Sequence, residues 1–527
     1  MAAALVGVFA VSLTSTMALA QSASAPTAID PDSALAATLR RMQGEPLRLE
    51  SAVRRALANA TDVREARAIL RAAAGALQRE RGAFDPEWFA DLTATRTETP
   101  SSSPFSRPDV IQDKNTTTST GARIRLPFGT EVEAAIDARK LDTNSEFAAI
   151  DPQYRADGRL EVRQPILKGY GPGTSSEKTA AERSLEAARA GYRGAQLSTQ
   201  SAVETTYWGL YAAERDFAVQ QLIAERAEAL LAQARLRAGA GLVGPNEVAN
   251  ARVFLAEQRL AALDQEERLD AISDQLVTLL GVRPTTSTRF RAVDTPPSDF
   301  PVDNIDSLLV RTFRSNSSLL VAEHNLKAIE ARERGAKWNA LPELDFIGTL
   351  GGTGLSGDTR EVIFGGDTLR VGAQGAYGEA LGQALRRDFP NWSVGVELTF
   401  PIPLRGGRGE RNRVRAEVER ARQRVEAVRR QLEERVRAVH RELVHSRERL
   451  LVAEEGVDAS FEQVRIGLIE YDNGRTTAFE LVRLGADLAG AQKRLSEALV
   501  RAATAAADLR YLTAQPSEAD GEETTPD

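Results

Sequence analysis

No cysteine occurs among the 527 residues. That absence excludes disulfide staples, thiolate metal sites, cysteine nucleophiles and an amino-terminal lipid on cysteine, so packing alone must hold the fold. Histidine is almost as scarce. Only His324, His440 and His445 occur, and the last two are not i,i+4 neighbours, so no helical metal-ligand pair exists and no metal or other cofactor is expected. No excess of positive charge exists either. Lys and Arg number 67 against 74 Asp and Glu, a net charge of -7, which leaves nothing to neutralise nucleic-acid phosphates. Beyond the amino terminus no stretch approaches the ~20 apolar residues of a spanning helix. If the chain crosses a membrane, it does so as a β-barrel. A hydrophobic fraction of 42% is too high for a disordered chain, and the length suggests roughly three or four units of ~150 residues.

Residues 1–29 carry no charged side chain, and Ala3 to Ala20 form an apolar stretch that closes on Ala18-Leu19-Ala20 before Gln21. A secretory signal over 1–20 is expected, with a small-x-small cleavage site but without the usual positive n-region. An uncleaved anchor is the alternative, although the run is short and broken by Ser and Thr. Residues 21–45 are expected to form a separate N-terminal segment of the exported chain.

The remainder is written twice. Residues 49–92 and 305–348 align without a gap, with identities Ser51/Ser307, Arg55/Arg311, Ala66/Ala322, Leu70/Leu326, Ala72/Ala328, Pro86/Pro342 and Glu87/Glu343. Farther on, Gly241 pairs with Gly474, Glu247 with Glu480, Leu255 with Leu488 and Leu279 with Leu512. A tandem repeat follows, 46–283 and 302–514, each copy being a helix, a β-rich stretch and a long helical hairpin. Between them 284–301, Pro-rich from Thr285 to Pro301, is a structureless linker, and 515–527 is an acidic disordered tail.

Proline is absent from Gly173 to Gly244 and from Leu404 to Gln515, spans rich in strong helix formers. The first carries a coiled-coil seam, Ala181, Leu185, Ala188, Tyr192, Ala195, Thr199, Ala202 and Thr206, with a stutter before Leu210, Ala213 and Phe217. The second repeats it with Val414, Val418, Ala421, Val425, Val428, Leu432, Val436 and Val439. Helices of ~65 residues reach roughly 100 Å. Each hairpin turns at glycine: Gly239 to Glu247, with Asn246 or a neighbour as cap, and Tyr471 to Thr477, with Thr477 as cap. Leu242 and Val243 at an exposed tip suggest either a partner or a local staple. In the β-rich stretches Trp392, Val394, Val396, Leu398 and Phe400 alternate with small or polar residues, and Ile124, Leu126, Phe128 and Leu160, Val162 are shorter runs of the same kind. About two long strands per copy are expected. Four strands cannot close a barrel, so several chains must pool them.

The duplication, the Gln164-Pro165-Ile166-Leu167 strand exit, Tyr207-Trp208-x-Leu210, and the tip phrases Gly241-Leu242-Val243, Glu247-Val248 and Tyr471-Asp472-Asn473-Gly474 resemble the TolC-type outer membrane efflux proteins. The resemblance implies a mixed α and β fold in which long coiled-coil hairpins form a periplasmic tunnel beneath a trimeric, twelve-stranded transmembrane β-barrel in outer membrane lipid. It implies a passive exit channel of a tripartite efflux or type I secretion system, docked by a periplasmic adaptor and an inner-membrane transporter. The family's aperture positions fall on Asn246, Glu247, Tyr471, Thr476 and Glu480. Adaptor contacts fall on the tips, Gly241, Leu242, Val243, Gly474 and Arg475. Two positions depart: the family's tip arginine falls on Thr476, one place after Arg475, and a second aperture carboxylate falls on Arg483. Gly352-Thr353-Gly354-Leu355-Ser356-Gly357 matches a dinucleotide glycine pattern but lacks the βαβ context and is taken as a loop between barrel strands. No enzyme chemistry emerges. The competing class is a coiled-coil scaffold of the envelope whose β segments form a soluble sheet.

Overall fold

A computed structural model describes residues 31–100, 107–283, 289–297, 299–364, 367–369, 372–473 and 475–515. The expected signal over 1–20, Gly474 and all but Gln515 of the acidic tail lie outside the described residues. In chain order the elements are α1 (Pro31–Arg41), β1 (Glu45–Leu47), α2 (Leu49–Asn59), α3 (Thr61–Gly82), β2 (Glu87–Pro100), β3 (Val110–Arg125), β4 (Glu131–Thr143), β5 (Ile150–Pro165), α4 (Pro172–Gly239) and α5 (Pro245–Leu279). The second half gives β6 (Phe290–Ala292), α6 (Ile305–Ser315), α7 (Ser317–Asn339), β7 (Glu343–Thr359), β8 (Val362–Phe364), β9 (Asp367–Leu369), α8 (Tyr377–Arg386), β10 (Phe389–Thr399), α9 (Arg405–Asp472) and α10 (Ala478–Thr513).

A short strand, paired helices, β-strands and a long hairpin thus occur twice. The segment 284–301 is not structureless, because β6 lies within it and pairs in parallel with β1, Glu45 opposite Phe290 and Leu47 opposite Ala292. Three residues are too few to show periodicity, and Phe290 is held by burial in the core that Tyr207, Leu210 and Leu276 also form.

The main sheet has six strands, in the order β10-β7-β5-β4-β3-β2, every pair antiparallel. The expectation of two long strands per copy is corrected: the first copy contributes four and the second two. Ala and Thr hide the difference. One face of β3 and β4 carries Ile124, Val132 and Ile136, but between and beyond them it is Thr116, Thr118, Thr120, Ala122, Ala134 and Ala138, so the apolar alternation is diluted over most of its length. The glycine-rich segment Gly351 to Gly357 is likewise strand, part of β7, and not a loop. Its missing side chains admit α8: a Cβ on Gly354 would collide with the Ala380 carbonyl, and one on Gly352 would lie 2.5 Å from that of Ala384.

Each long helix has 68 residues, roughly 100 Å at 1.5 Å per residue. Near the sheet the neighbours run α3, α4, α7, α9; toward the tips they run α5, α4, α10, α9. The α9 seam is buried as expected, from Val414 and Val418 through Val425, Val428, Leu432, Val436 and Val439. In α4 burial spreads beyond the seam to Val203, Tyr207 and Ala218, because α4 packs against α3, α5, α7 and α10 together. Among the described residues no helix is long and apolar enough to cross a membrane.

Candidate functional site

The strand registers sort the six-stranded sheet into two chemically opposite faces. Trp88, Ala122, Ala134, Leu160, Leu350 and Trp392 form one continuous row across all six strands, flanked on β10 by Val394, Val396 and Leu398, all exposed. This face is apolar. The opposite face carries Arg123 paired with Glu87 at 2.8 Å, Arg159 with Glu133 at 2.7 Å, and Arg163 bridging Asp345 at 2.8 Å and Glu397 at 3.1 Å. Such half-exposed pairs add little stability each. Their consequence is a wetted, charged surface back to back with an apolar one.

At the far end, helix-ending chemistry shapes both tips. After α4, the Gly241 N–H donates to the Ala238 carbonyl at 3.0 Å and the Leu242 N–H to that of Arg237 at 2.9 Å, a Schellman ending with Gly241 at φ +72°. The second tip repeats the longer bond, Arg475 N–H to the Glu470 carbonyl at 2.8 Å. Gly244 caps α5 with Pro245 at its first position and no side-chain cap, so Asn246 lies inside the helix and is not its cap. Thr477 caps α10 as expected, its hydroxyl accepting from the Glu480 N–H at 3.3 Å. The duplication therefore sets Glu247 and Glu480 at the same place, three residues past each cap. Glu480 lies 3.7 Å from Arg483. Asn246, Glu247 and Arg475 are exposed and Thr476 is half-buried; Tyr471 lies in the last turn of α9. Leu242 is 75% exposed and Val243 half-buried, so Leu242 is not stapled against its own hairpin.

Midway along α4 lies a polar cluster that sequence reading misses by treating carboxylates as helix surface. Tyr207 Oη lies 2.9 Å from the Leu47 carbonyl and from Asp294 Oδ2, and accepts from the Val293 and Asp294 N–H groups at 3.1 Å. Glu214 accepts from the Ala292 N–H at 2.9 Å, and burial pushes its carboxyl up to about 8 against the opposing pull of Arg291, Arg215 and Arg289. Glu204 is paired with Arg510 of α10, and Asp216 lies 3.6 Å from Lys493, also of α10. These pairs tie one hairpin to the other. The one sequence signal is that Glu204 and Glu214 flank the aromatic run Tyr207, Trp208 and Tyr211, while the Thr205, Thr206, Arg215 and Asp216 beside them read as ordinary helix surface.

A two-faced sheet is here joined to helices several times longer than a small domain, and the family profile of outer membrane efflux proteins matches residues 158–282 and 308–515. The chain belongs to the outer membrane efflux protein family. Its fold is similar to that of the outer-membrane channel OprN, at 18% identity over 89% of this chain and 90% of that one, with a TM-score of 0.62. It is also similar to the Campylobacter jejuni CmeC outer membrane channel (15%, 90% and 88%, 0.59) and to the Neisseria gonorrhoeae MtrE outer membrane channel in its open state (16%, 88% and 88%, 0.59). No curated protein matches the chain. The family match begins inside β5, leaving β2, β3 and β4 ahead of it.

Proposed function

We propose that this protein is the outer membrane exit channel of a tripartite efflux or type I secretion system. It is a homotrimer and a passive conduit for substrates that an inner-membrane pump delivers through a periplasmic adaptor. The observation that carries this reading is the pairing, in one chain, of a sheet apolar on one face and charged on the other with helical hairpins roughly 100 Å long. The apolar face meets lipid and the charged face lines a water-filled lumen. The hairpins cross the periplasm, and their tips meet the adaptor through Gly241, Leu242, Val243, Gly474 and Arg475. Asn246, Glu247, Tyr471, Thr476 and Glu480 ring the aperture.

The test is membrane fractionation of the expressing cell, amino-terminal sequencing, and planar-bilayer recording of the detergent-solubilised protein. Recovery with the outer membrane, a start near Gln21 and discrete conductance steps are expected. A soluble periplasmic coiled coil without conductance would establish the scaffold reading instead.

A further inference from the structure

The sheet stops at two open edges. Among the described residues β2 pairs only with β3 and β10 only with β7, so each leaves a row of backbone N–H and C=O groups unmatched, a cost of several kcal/mol per group in hydrocarbon. Both edge strands are exposed along almost their whole length, Trp88, Leu92, Trp392 and Val396 among them. With an even number of antiparallel strands between them, β2 and β10 run in opposite directions. The β2 edge of one copy is therefore an antiparallel partner for the β10 edge of the next.

The geometry points to a barrel of eighteen strands, closed by three copies of this six-stranded sheet through a β2–β10 seam; it rests on the trimeric channel reading above. Two independent features support all six strands belonging to the ring. The first is circumference. Four strands continue into helices, in matching order: α3 enters β2, β5 enters α4, α7 enters β7 and β10 enters α9, while the neighbouring helices run α3, α4, α7, α9. Four helices packed ~8–10 Å apart cover about 32–40 Å of arc. Six strands ~4.8 Å apart at a tilt of about 35° cover roughly 35 Å, whereas four cover roughly 23 Å. The β3–β4 hairpin, which enters no helix, fills the difference.

The second feature is stagger. The cross-strand row that starts at Trp88, next to the helix-side end of β2 at Glu87, reaches β10 at Trp392, well above that strand's end at Thr399. A climb of about six residues over one protomer corresponds to a tilt of about 35°, the tilt of closed barrels. Threefold symmetry then fixes the seam: Glu87 of the next copy beside Thr399, Trp88 beside Leu398, Leu92 beside Val394 and Ala94 beside Trp392. All eleven residues of β10 are paired, and the apolar faces continue without a step. Eighteen strands is the size at which barrels enclose an open aqueous channel.

The absence of native cysteine makes the seam directly testable in the full-length protein. Leu92→Cys is combined in turn with Trp392→Cys, Val394→Cys and Val396→Cys, oxidised in membranes and run on non-reducing gels. Linked dimers and trimers are expected, in highest yield with Val394→Cys. A second variant pairs Ile136→Cys on β4 with Val394→Cys, positions that meet only if β2 and β3 fold out and twelve strands close. Linkage through Ile136, or none through Leu92 while native mass measurement still gives a trimer, overturns the eighteen-strand seam and leaves the channel reading standing. A monomer by native mass overturns both.

Discussion

Glu214 is a buried carboxylic acid whose protonation couples to folding. It is 5% exposed, and its carboxyl is raised from an ordinary 4.5 to about 8, first by burial. Between those values the folded chain holds a proton that the unfolded chain has released, so stability falls as pH rises through that window and levels off above about 8. Glu214→Gln keeps an acceptor for the Ala292 N–H and removes the titration. The expected outcome is a melting temperature of the detergent-solubilised protein that declines less between pH 5 and 8 than that of the unmodified chain. Equal slopes would assign the dependence to another group. At the second tip, Thr477→Ala removes the acceptor of the Glu480 N–H and is expected to cost about 0.5–2 kcal/mol of local helix stability. Hydrogen exchange of the first turn of α10 measures it.

Among the elements, α8 depends on what β7 lacks. It packs on the apolar face of the sheet, where Ala380 and Ala384 bury against Ala156 and the bare backbones of Gly352 and Gly354 meet its carbonyls. Gly354→Leu is expected to dislodge α8 and destabilise its contact by about 1–3 kcal/mol, the usual cost of overpacking. Proteolysis between α8 and β10 should then appear in intact cells. A Gly354→Leu protein as resistant as the parent would show that α8 is held by other contacts. The Gly-rich phrase that matches a dinucleotide glycine pattern is therefore a packing device, and among the described residues no βαβ unit surrounds it. The α9 seam follows the same logic of close approach, with valine rather than glycine setting the spacing.

For the whole molecule, the duplication brings a carboxylate to the same turn of both hairpins, and the proposed threefold assembly would multiply each into a ring. Like charges about one axis repel, so cations are drawn to the mouth unless a partner such as Arg483, 3.7 Å from Glu480, compensates them. The double variant Glu247→Ala with Glu480→Ala is expected to weaken cation preference in planar bilayers while the trimer stays intact. Unchanged selectivity and conductance would return both glutamates to the ordinary preference for acids in a first helical turn, about 0.3–1 kcal/mol each.

The long helices, the coiled-coil seams, the glycine tips and the Thr477 cap are legible in the sequence because each rests on contacts between residues a few places apart. Periodicity, proline spacing and capping report such contacts directly. The strand count was only partly legible: Ile124, Val132 and Ile136 alternate on β3 and β4, but the Ala and Thr around them take their meaning from Leu160 and Trp88 in neighbouring strands. Nor was β6, whose three residues are fixed by β1 more than two hundred positions away. The mid-helix carboxylates follow the same rule: Glu204 looks like helix surface until Arg510 of the other hairpin closes over it. Local interactions set the elements of this protein; burial between distant segments decided how many strands form its sheet and which charges lie inside, because burial is a property of what packs alongside and not of the residue itself.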